Sequence, residues 1–120
     1  STMVSPPDGD LTDFMASTER LAGMAARVFY PGHGAPVAEP ASRAGWLLGH
    51  RRAREAQIRD RLDDRGVTIP GLARDIYADT PAALLPAAER NVFSHLIDLG
   101  QRNKARADPH LAVDAVFFSA

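Results

Sequence analysis

Cysteine is absent from the 120-residue sequence, so disulfide bonds and zinc sites built on thiolates are excluded. Long apolar runs are also absent, since none approaches the roughly 20 residues that a membrane-spanning helix needs. Residues 1–10 show neither the basic start nor the apolar stretch of a signal peptide. We therefore expect no membrane association, and a cytoplasmic location fits the lack of cysteine.

An excess of charge of either sign is lacking too. The formal net charge is −1 and the isoelectric point is near 6.4, so the chain as a whole has no attraction for nucleic acid. The hydrophobic content of 45% is that of an ordinary globular protein and argues against disorder. A length of 120 residues corresponds to one domain, or to one small domain with a fragment of another.

The first forty residues predict one helix, one strand and one turn. Apolar residues recur at helical spacing over 11–26, with Asp10 as the expected N-cap. The β-prone residues 28–30 predict a short buried strand, which Pro31 ends. The segment 32–34, Gly-His-Gly, predicts a tight turn that needs the backbone freedom of glycine on both sides of a histidine.

The remaining residues show three helical patterns and two β-prone segments. We expect Gly66 to end the first helix, Pro70 to lie in the first turn of the second and Gly100 to end the third. The order of helix, short extended piece, helix, corner, helix and hairpin is that of a winged helix. The predicted segments are a helix over 42–65, an extended piece at 67–69, a helix with apolar positions from Ile69 to Tyr77, a helix over 82–99, and a hairpin of 104–107 with 113–118.

Histidine 33 is the most informative candidate for chemistry. A histidine between two glycines, just after a buried strand, presents its imidazole from a fixed backbone at a sheet edge, as a metal site requires. Taken alone, the three residues Gly-His-Gly are more typical of a plain turn. The wider sequence context decides between these two interpretations.

Several motifs along the chain resemble, in the correct order, the lactamase-β-like branch of the metallo-β-lactamase superfamily. Members of this branch carry an appended winged-helix-like domain at the C-terminus. The resemblance covers nearly the whole chain and weakens over the last twenty residues. The motifs are Val4-Ser5-Pro6-Pro7-Asp8-Gly9-Asp10-Leu11, Tyr30-Pro31-Gly32-His33-Gly34, His50-Arg51-Arg52 with Arg54-Glu55 and Gln57-Ile58, Ile76-Tyr77 with Thr80-Pro81, Leu84-Leu85 and Ala88, and His95-Leu96.

This resemblance implies a fold, a division of the chain and a function. The expected fold is mostly α: a fragment of the metallo-β-lactamase αββα fold, then a winged-helix-like three-helix domain with a small C-terminal hairpin. The implied division is a metallo-β-lactamase remnant over 1–40, a long connecting helix over 41–66 and the winged-helix-like domain over 67–120. The parent protein is expected to be a zinc-dependent hydrolase that cleaves an ester, thioester or phosphodiester with metal-activated water.

His33 matches the last zinc ligand of the superfamily. The other ligands of the zinc pair come from a His-x-His-x-Asp-His motif, a further histidine and a bridging aspartate, and these have no counterpart in this chain. A hydrolytic zinc centre needs about three protein ligands for each metal. We therefore expect two zinc ions in the full-length parent, a missing N-terminal catalytic half as partner, and a chain that alone is inactive and binds zinc weakly or not at all.

The candidate substrate-binding residues are His50 and Arg51. They lie on the long helix that follows the His33 turn, where a cation facing the active-site mouth would meet an anionic group. The alternative is a solvated helix face, or a helix that joins two domains. Of the other histidines, His95 is predicted to pack between elements and His110 to lie in a turn.

A winged-helix module that binds nucleic acid or another protein is the alternative function. Its third helix offers Arg90 and Asn91, but Glu89 and Asp98 offset their charge, which is weak support for base reading. Some members of the family act on single-stranded RNA, so the parent's substrate is expected to be a small molecule or RNA. Packing or homodimer formation is the role that we favour for the winged helix.

Overall fold

The computed structural model describes residues 3–120 and contains two compact units. One unit comprises the described residues as far as Leu11 together with Glu55–Ala120, and the other comprises Thr12–Arg54. The second helix contributes residues to both units. The domain limits at residues 40 and 66, which the sequence suggested, stay predictions.

Helices make up most of the described structure, and a small antiparallel sheet completes it, which confirms the predicted fold class. Among residues 3–120, no helix is both long enough and apolar enough to cross a membrane. The elements in chain order are α1 (Leu11–Ala22), α2 (Pro40–Arg59), β1 (Val67–Thr68), α3 (Ile69–Ile76), a 3-10 turn (Ala82–Leu84), α4 (Leu85–Gln101), β2 (Ala105–Asp108) and β3 (Val116–Ser119).

The sheet has three strands in the order β1-β3-β2, whereas the sequence predicted a two-stranded hairpin. Strand β3 pairs antiparallel with both neighbours, so that Phe117 lies opposite Val67 on one side and Ala107 on the other. The extended piece between the first two helices of the winged helix therefore joins the hairpin. The pairing of β1 with β3 joins two segments that are about fifty residues apart in the chain.

The core of this unit is formed by apolar stripes on the helices, packed against β3. The predicted positions Val92, Leu96 and Leu99 of α4 are each completely buried, and Phe117 is 1% exposed. Burial of side chains of this size stabilises a fold by about 1.5–3 kcal/mol each before entropy is counted. The other core members are Ile58, Leu62, Ile69, Leu72, Ala73, Ala88, Ala105 and Ala115.

Helix α3 begins as its sequence predicts. Pro70 lies in the first turn, and the hydroxyl of Thr68 accepts a hydrogen bond from the amide of Gly71 at 3.2 Å. Thr68 has extended backbone angles, as an N-cap residue should. Strand β1 therefore passes directly into the helix, which fixes the angle between the sheet and the helices.

Two predicted helix ends are wrong, the first of them by several residues. Helix α2 ends at Arg59 rather than near 65, because the carboxylate of Asp63 accepts hydrogen bonds from the amides of Arg65 and Gly66 and so favours a turn. Gly100 lies inside α4, which continues to Gln101. The left-handed residue after that helix is Asn103, with φ of 56°.

The predicted buried strand at residues 28–30 is also wrong for this chain. Helix α1 ends at Ala22 rather than near 26, and the strand reduces to one bridge between Phe29 and Val37. Tyr30 is 81% exposed and Val28 is 37% exposed. Among the described residues this segment pairs with Val37 alone, so no sheet buries its side chains.

Gly66 is the position where the sheet tolerates no side chain. Its φ is +95°, and a Cβ atom there would lie 2.5 Å from Cγ1 of Val116 and 2.9 Å from Cε1 of Phe118. We expect Gly66→Ala to lower the free energy of unfolding by about 2–4 kcal/mol, since strain and overpacking add. Urea unfolding followed by circular dichroism measures the change.

Gly49→Ala is the matched control, because Gly49 lies within α2 and a Cβ atom there would meet nothing within 4 Å. Alanine favours a helix over glycine by about 0.5–1 kcal/mol, so this variant should be as stable as the parent or slightly more stable. Equal stability of the Gly66 variant and the control would show that the close approach of Gly66 to β3 does not exclude a side chain at this position.

Candidate functional site

The His33 turn is closed by a pair of backbone hydrogen bonds. The amide of Phe29 donates to the carbonyl of Val37 at 3.0 Å, and the amide of Val37 donates back at 2.8 Å. His33 is exposed at the tip of this loop, and Gly34 has a φ of +91°. A Cβ atom on Gly34 would meet nothing within 4 Å, so the glycine is needed for backbone conformation rather than for space.

The described donor side chains do not form a complete metal-binding shell by themselves. Among residues 3–120, no three His, Cys, Asp or Glu side chains lie together in a way that would hold a metal ion. A catalytic zinc takes about three protein ligands. The exposed imidazole of His33 therefore fits the role of a single ligand, and the remaining ligands would have to come from outside the described residues.

His50 lies on the exposed surface of α2, where its ring stacks on that of Trp46. The ring centroids are 5.2 Å apart and the ring planes differ by 7°. The guanidinium carbon of Arg43 lies 4.7 Å from the centroid of the same indole. The three residues follow one another at helical spacing, which places Arg43 one turn before the indole and His50 one turn after it.

Arg51, the neighbour of His50 in sequence, has different surroundings. It is 7% exposed, and its guanidinium carbon lies 5.1 Å from the ring centroid of Phe14 on α1. Arg52 pairs with Glu19 of α1 at 2.9 Å on the surface. The structure thus places His50 and Arg51 on different sides of α2, and a role in substrate binding stays a prediction for both.

The other two histidines lie away from these residues along the chain. His95 is 1% exposed within α4, as expected of a packing residue. His110 is exposed in the turn between β2 and β3, as expected of a turn residue. Neither one belongs to a group of metal donors among the described residues.

The polar residues of α4 that would read a nucleic acid donate hydrogen bonds within their own unit. Arg90 donates from Nη1 to the hydroxyl of Ser5 at 3.1 Å and to the carbonyl of Pro6 at 3.4 Å. The side-chain amide of Asn91 donates to the hydroxyl of Tyr77 at 2.7 Å. Helix α4 therefore uses these side chains to hold the segment before α1 and the end of α3.

Two arginines after α4 also have partners within their own unit. The guanidinium of Arg102 lies 2.7 Å from a carboxylate oxygen of Asp98 and 2.8 Å from one of Glu55. Partial burial acts to lower the pKa of Arg102, but the hydrogen bonds to Asp98 and Glu55 prevail and raise it above its ordinary value. Arg106 lies 4.3 Å from the ring centroid of Phe118, which fixes it against the sheet.

The arrangement of these elements matches a known domain. Residues 68–110 match the family model described as the beta-lactamase associated winged helix domain. The matched segment runs from the N-cap of α3 to the turn after β2. Residues 68–110 are a β-lactamase-associated winged helix domain. The sequence resemblance to the branch of metallo-β-lactamases that carries this domain is confirmed.

Curated relatives extend the similarity to most of the chain. A beta-lactamase-like protein 2 homolog of Drosophila melanogaster is 32% identical over 100 residues, which are 81% of this chain and 34% of that protein. The Caenorhabditis elegans homolog is 32% identical over 84 residues, or 69% of this chain and 28% of that protein. The chain therefore spans about a third of the length of the curated relatives that it matches.

Solved structures agree with this assignment of fold. A metallo-beta-lactamase family protein from Thermus thermophilus superposes with a TM-score of 0.72 at 27% identity, over 92% of this chain and 33% of that one. A beta-lactamase domain protein from Burkholderia ambifaria gives a TM-score of 0.78 at 18% identity and supports the fold alone. The chain is related to metallo-β-lactamase family proteins in its winged helix and in the residues before it.

The hydrogen bonds of Arg90 predict a local effect on the segment before α1. We expect Arg90→Ala to leave the core intact and to increase hydrogen exchange at the amide of Gly9, which donates to the carbonyl of Ser5 at 2.8 Å. Exchange followed by NMR measures this amide directly. A rise of about three- to ten-fold corresponds to the loss of one such contact.

Arg74→Ala is the comparison variant, since Arg74 is an exposed arginine of α3 in the same unit. Its exchange pattern over residues 3–11 should equal that of the unchanged chain. If Arg90→Ala also leaves the Gly9 amide unchanged, the segment is held by its own turn and by the burial of Val4, which is 4% exposed, rather than by the arginine.

Proposed function

We propose that this chain is part of a zinc-dependent hydrolase that cleaves an ester, thioester or phosphodiester. The observation that carries the proposal is the similarity to a metallo-beta-lactamase family protein over 92% of the chain. When bound, zinc would supply an activated water as nucleophile. Within this chain, His33 would hold one ligand position and the winged-helix unit would shape the substrate entrance.

The turn geometry supports His33 as the ligand. The ring of a metal-bound histidine must be held by its backbone, and the two hydrogen bonds between Phe29 and Val37 close the loop at its base. Gly34 supplies the positive φ that a side-chain-bearing residue adopts only at a cost. Of the four histidines, His33 is the one that stands in such a turn, so it is the one assigned to the metal.

His50 and Arg51 are assigned to the substrate, in unequal roles. His50 is exposed and offers ring nitrogens to an incoming group, whereas the guanidinium of Arg51 lies against Phe14. A direct contact with an anionic substrate is therefore the role proposed for His50. Arg51 would attract the anionic substrate through its electric field without touching it. It would also hold α1 against α2, as a buried cation over an aromatic ring does.

A winged-helix interaction module is the second candidate function. Arg90 and Asn91 of α4 are hydrogen-bonded to Pro6, Ser5 and Tyr77, which favours packing over base reading. The charge of Arg102 is balanced by two carboxylates, which lowers the attraction for a phosphate backbone. We propose that this unit packs within the protein or in a homodimer. For the whole hydrolase we propose a cytoplasmic location and a substrate that is a small molecule or RNA.

The role of His33 is tested by His33→Ala in a protein that spans the full length of the relatives. We expect the loss of one zinc ion for each chain and a fall in turnover of about a thousand-fold or more, since metal-assisted steps contribute several kcal/mol to the barrier. Elemental analysis after dialysis measures the zinc, and steady-state kinetics measures turnover. Thermal melting should change little beyond the contribution of the lost metal.

His110→Ala is the matched control, because His110 is also an exposed turn histidine. It should keep both metals and full turnover. Should His33→Ala behave like this control, the assignment of the turn to a zinc site would be wrong. The winged-helix interaction module would then become the leading function.

A further inference from the structure

Trp46 is an exposed indole on the charged part of α2. The residue is 53% exposed, yet its ring is in contact with both Arg43 and His50. A large aromatic ring on a polar surface is informative when it organises polar groups rather than packing into the core. We call these three residues, Arg43, Trp46 and His50, the indole stack.

The indole stack restricts the imidazole of His50. An exposed histidine on a helix ordinarily samples several rotamers, and this freedom must be given up when a ligand binds. A parallel ring at a centroid distance of 5.2 Å selects the rotamer in which the imidazole lies over the indole. The guanidinium of Arg43, at 4.7 Å, adds a cation–π contact and so holds the indole from the preceding turn.

The charge of the surrounding helix selects an anion as the ligand. Between Pro40 and Arg54, helix α2 contains four arginines and His50 but no acidic residue. Arg51 lies against the uncharged ring of Phe14, and Arg52 pairs with Glu19. A helix segment with basic and no acidic residues of its own attracts phosphate or carboxylate groups.

We propose that the indole stack positions His50 to bind an oxyanion, a phosphate or carboxylate group, of the substrate, with Trp46 as the positioning residue. This inference rests on the proposed hydrolase function, to which it adds the chemistry of the substrate group. An N–H of the imidazole donates to the oxyanion, and Arg43, which lies over the same indole, contributes positive charge. Trp46 itself makes no bond to the ligand.

The test uses the 120-residue chain and the ring-proton NMR signals of His50. The chain is titrated with inorganic phosphate and, separately, with acetate, at an ionic strength held constant with chloride. We expect a saturable shift of the His50 signals with at least one of the two oxyanions. A response no larger than that to chloride in both titrations would overturn the proposal.

Three variants separate positioning from a general effect of charge. His50→Ala should weaken oxyanion binding about ten-fold or more, since a hydrogen bond to a charged group is lost. Because this variant lacks the His50 signals, its binding is measured from the backbone amide signals of α2. Trp46→Ala should weaken it about three- to ten-fold, because the imidazole is no longer held. Trp46→Phe, which keeps an aromatic ring, should stay within about two-fold of the unchanged chain.

Failure of the positioning role of Trp46 can be distinguished from failure of the proposed hydrolase function. Equal affinities in Trp46→Ala and the unchanged chain would overturn the positioning role, whatever the zinc experiments give. Oxyanion binding that depends on Trp46 would uphold it, even if His33→Ala were to keep its zinc in the longer protein. In that longer protein, Trp46→Ala should raise KM with kcat and zinc content little changed.

Discussion

The burial of strand β3 is the constraint on which the winged-helix unit depends. Phe117 is 1% exposed and pairs with Val67 on one side and Ala107 on the other, so one residue joins three strands and the helical core. Position 66 must be glycine because it lies so close to this strand that any side chain there would collide with Val116. Once β1 is fixed beside β3, Thr68 starts α3 immediately, and the order of helices follows. The winged helix is thus specified by a few contacts between residues about fifty positions apart.

Local signals in the sequence predict the helices well, but they predict the pairing of the β-strands poorly. The apolar stripe of α4 and the Pro70 start of α3 follow from short-range rules, and the structure confirms them. The addition of β1 to the hairpin is a contact over long range, which two β-prone residues do not announce. The error at residues 28–30 has the reverse cause: their composition is that of a buried strand, but no partner sheet lies among the described residues. The early end of α2 follows from one side chain, Asp63, that competes for backbone amides.

For the candidate site, the sequence supplied residues but not their surroundings. The sequence alone does not distinguish the environment of His50, which stacks on an exposed indole, from that of Arg51, which lies against Phe14. Helical spacing of 43, 46 and 50 is a signal that would have revealed the indole stack, because i+3 and i+4 neighbours meet on one face. The bonds of Arg90 to Ser5 and Pro6 span more than eighty residues and had no such signal. These bonds explain why a helix in the place of a DNA-reading helix is suited to packing.

His33 is proposed to supply one zinc ligand, with the other ligands coming from residues outside this chain. The zinc content of the 120-residue chain after dialysis against metal-free buffer tests this directly, together with assays for ester, thioester and phosphodiester hydrolysis. Because a catalytic zinc needs about three protein ligands, we expect far less than stoichiometric zinc and no turnover. Stoichiometric, tightly held zinc accompanied by turnover would contradict the claim.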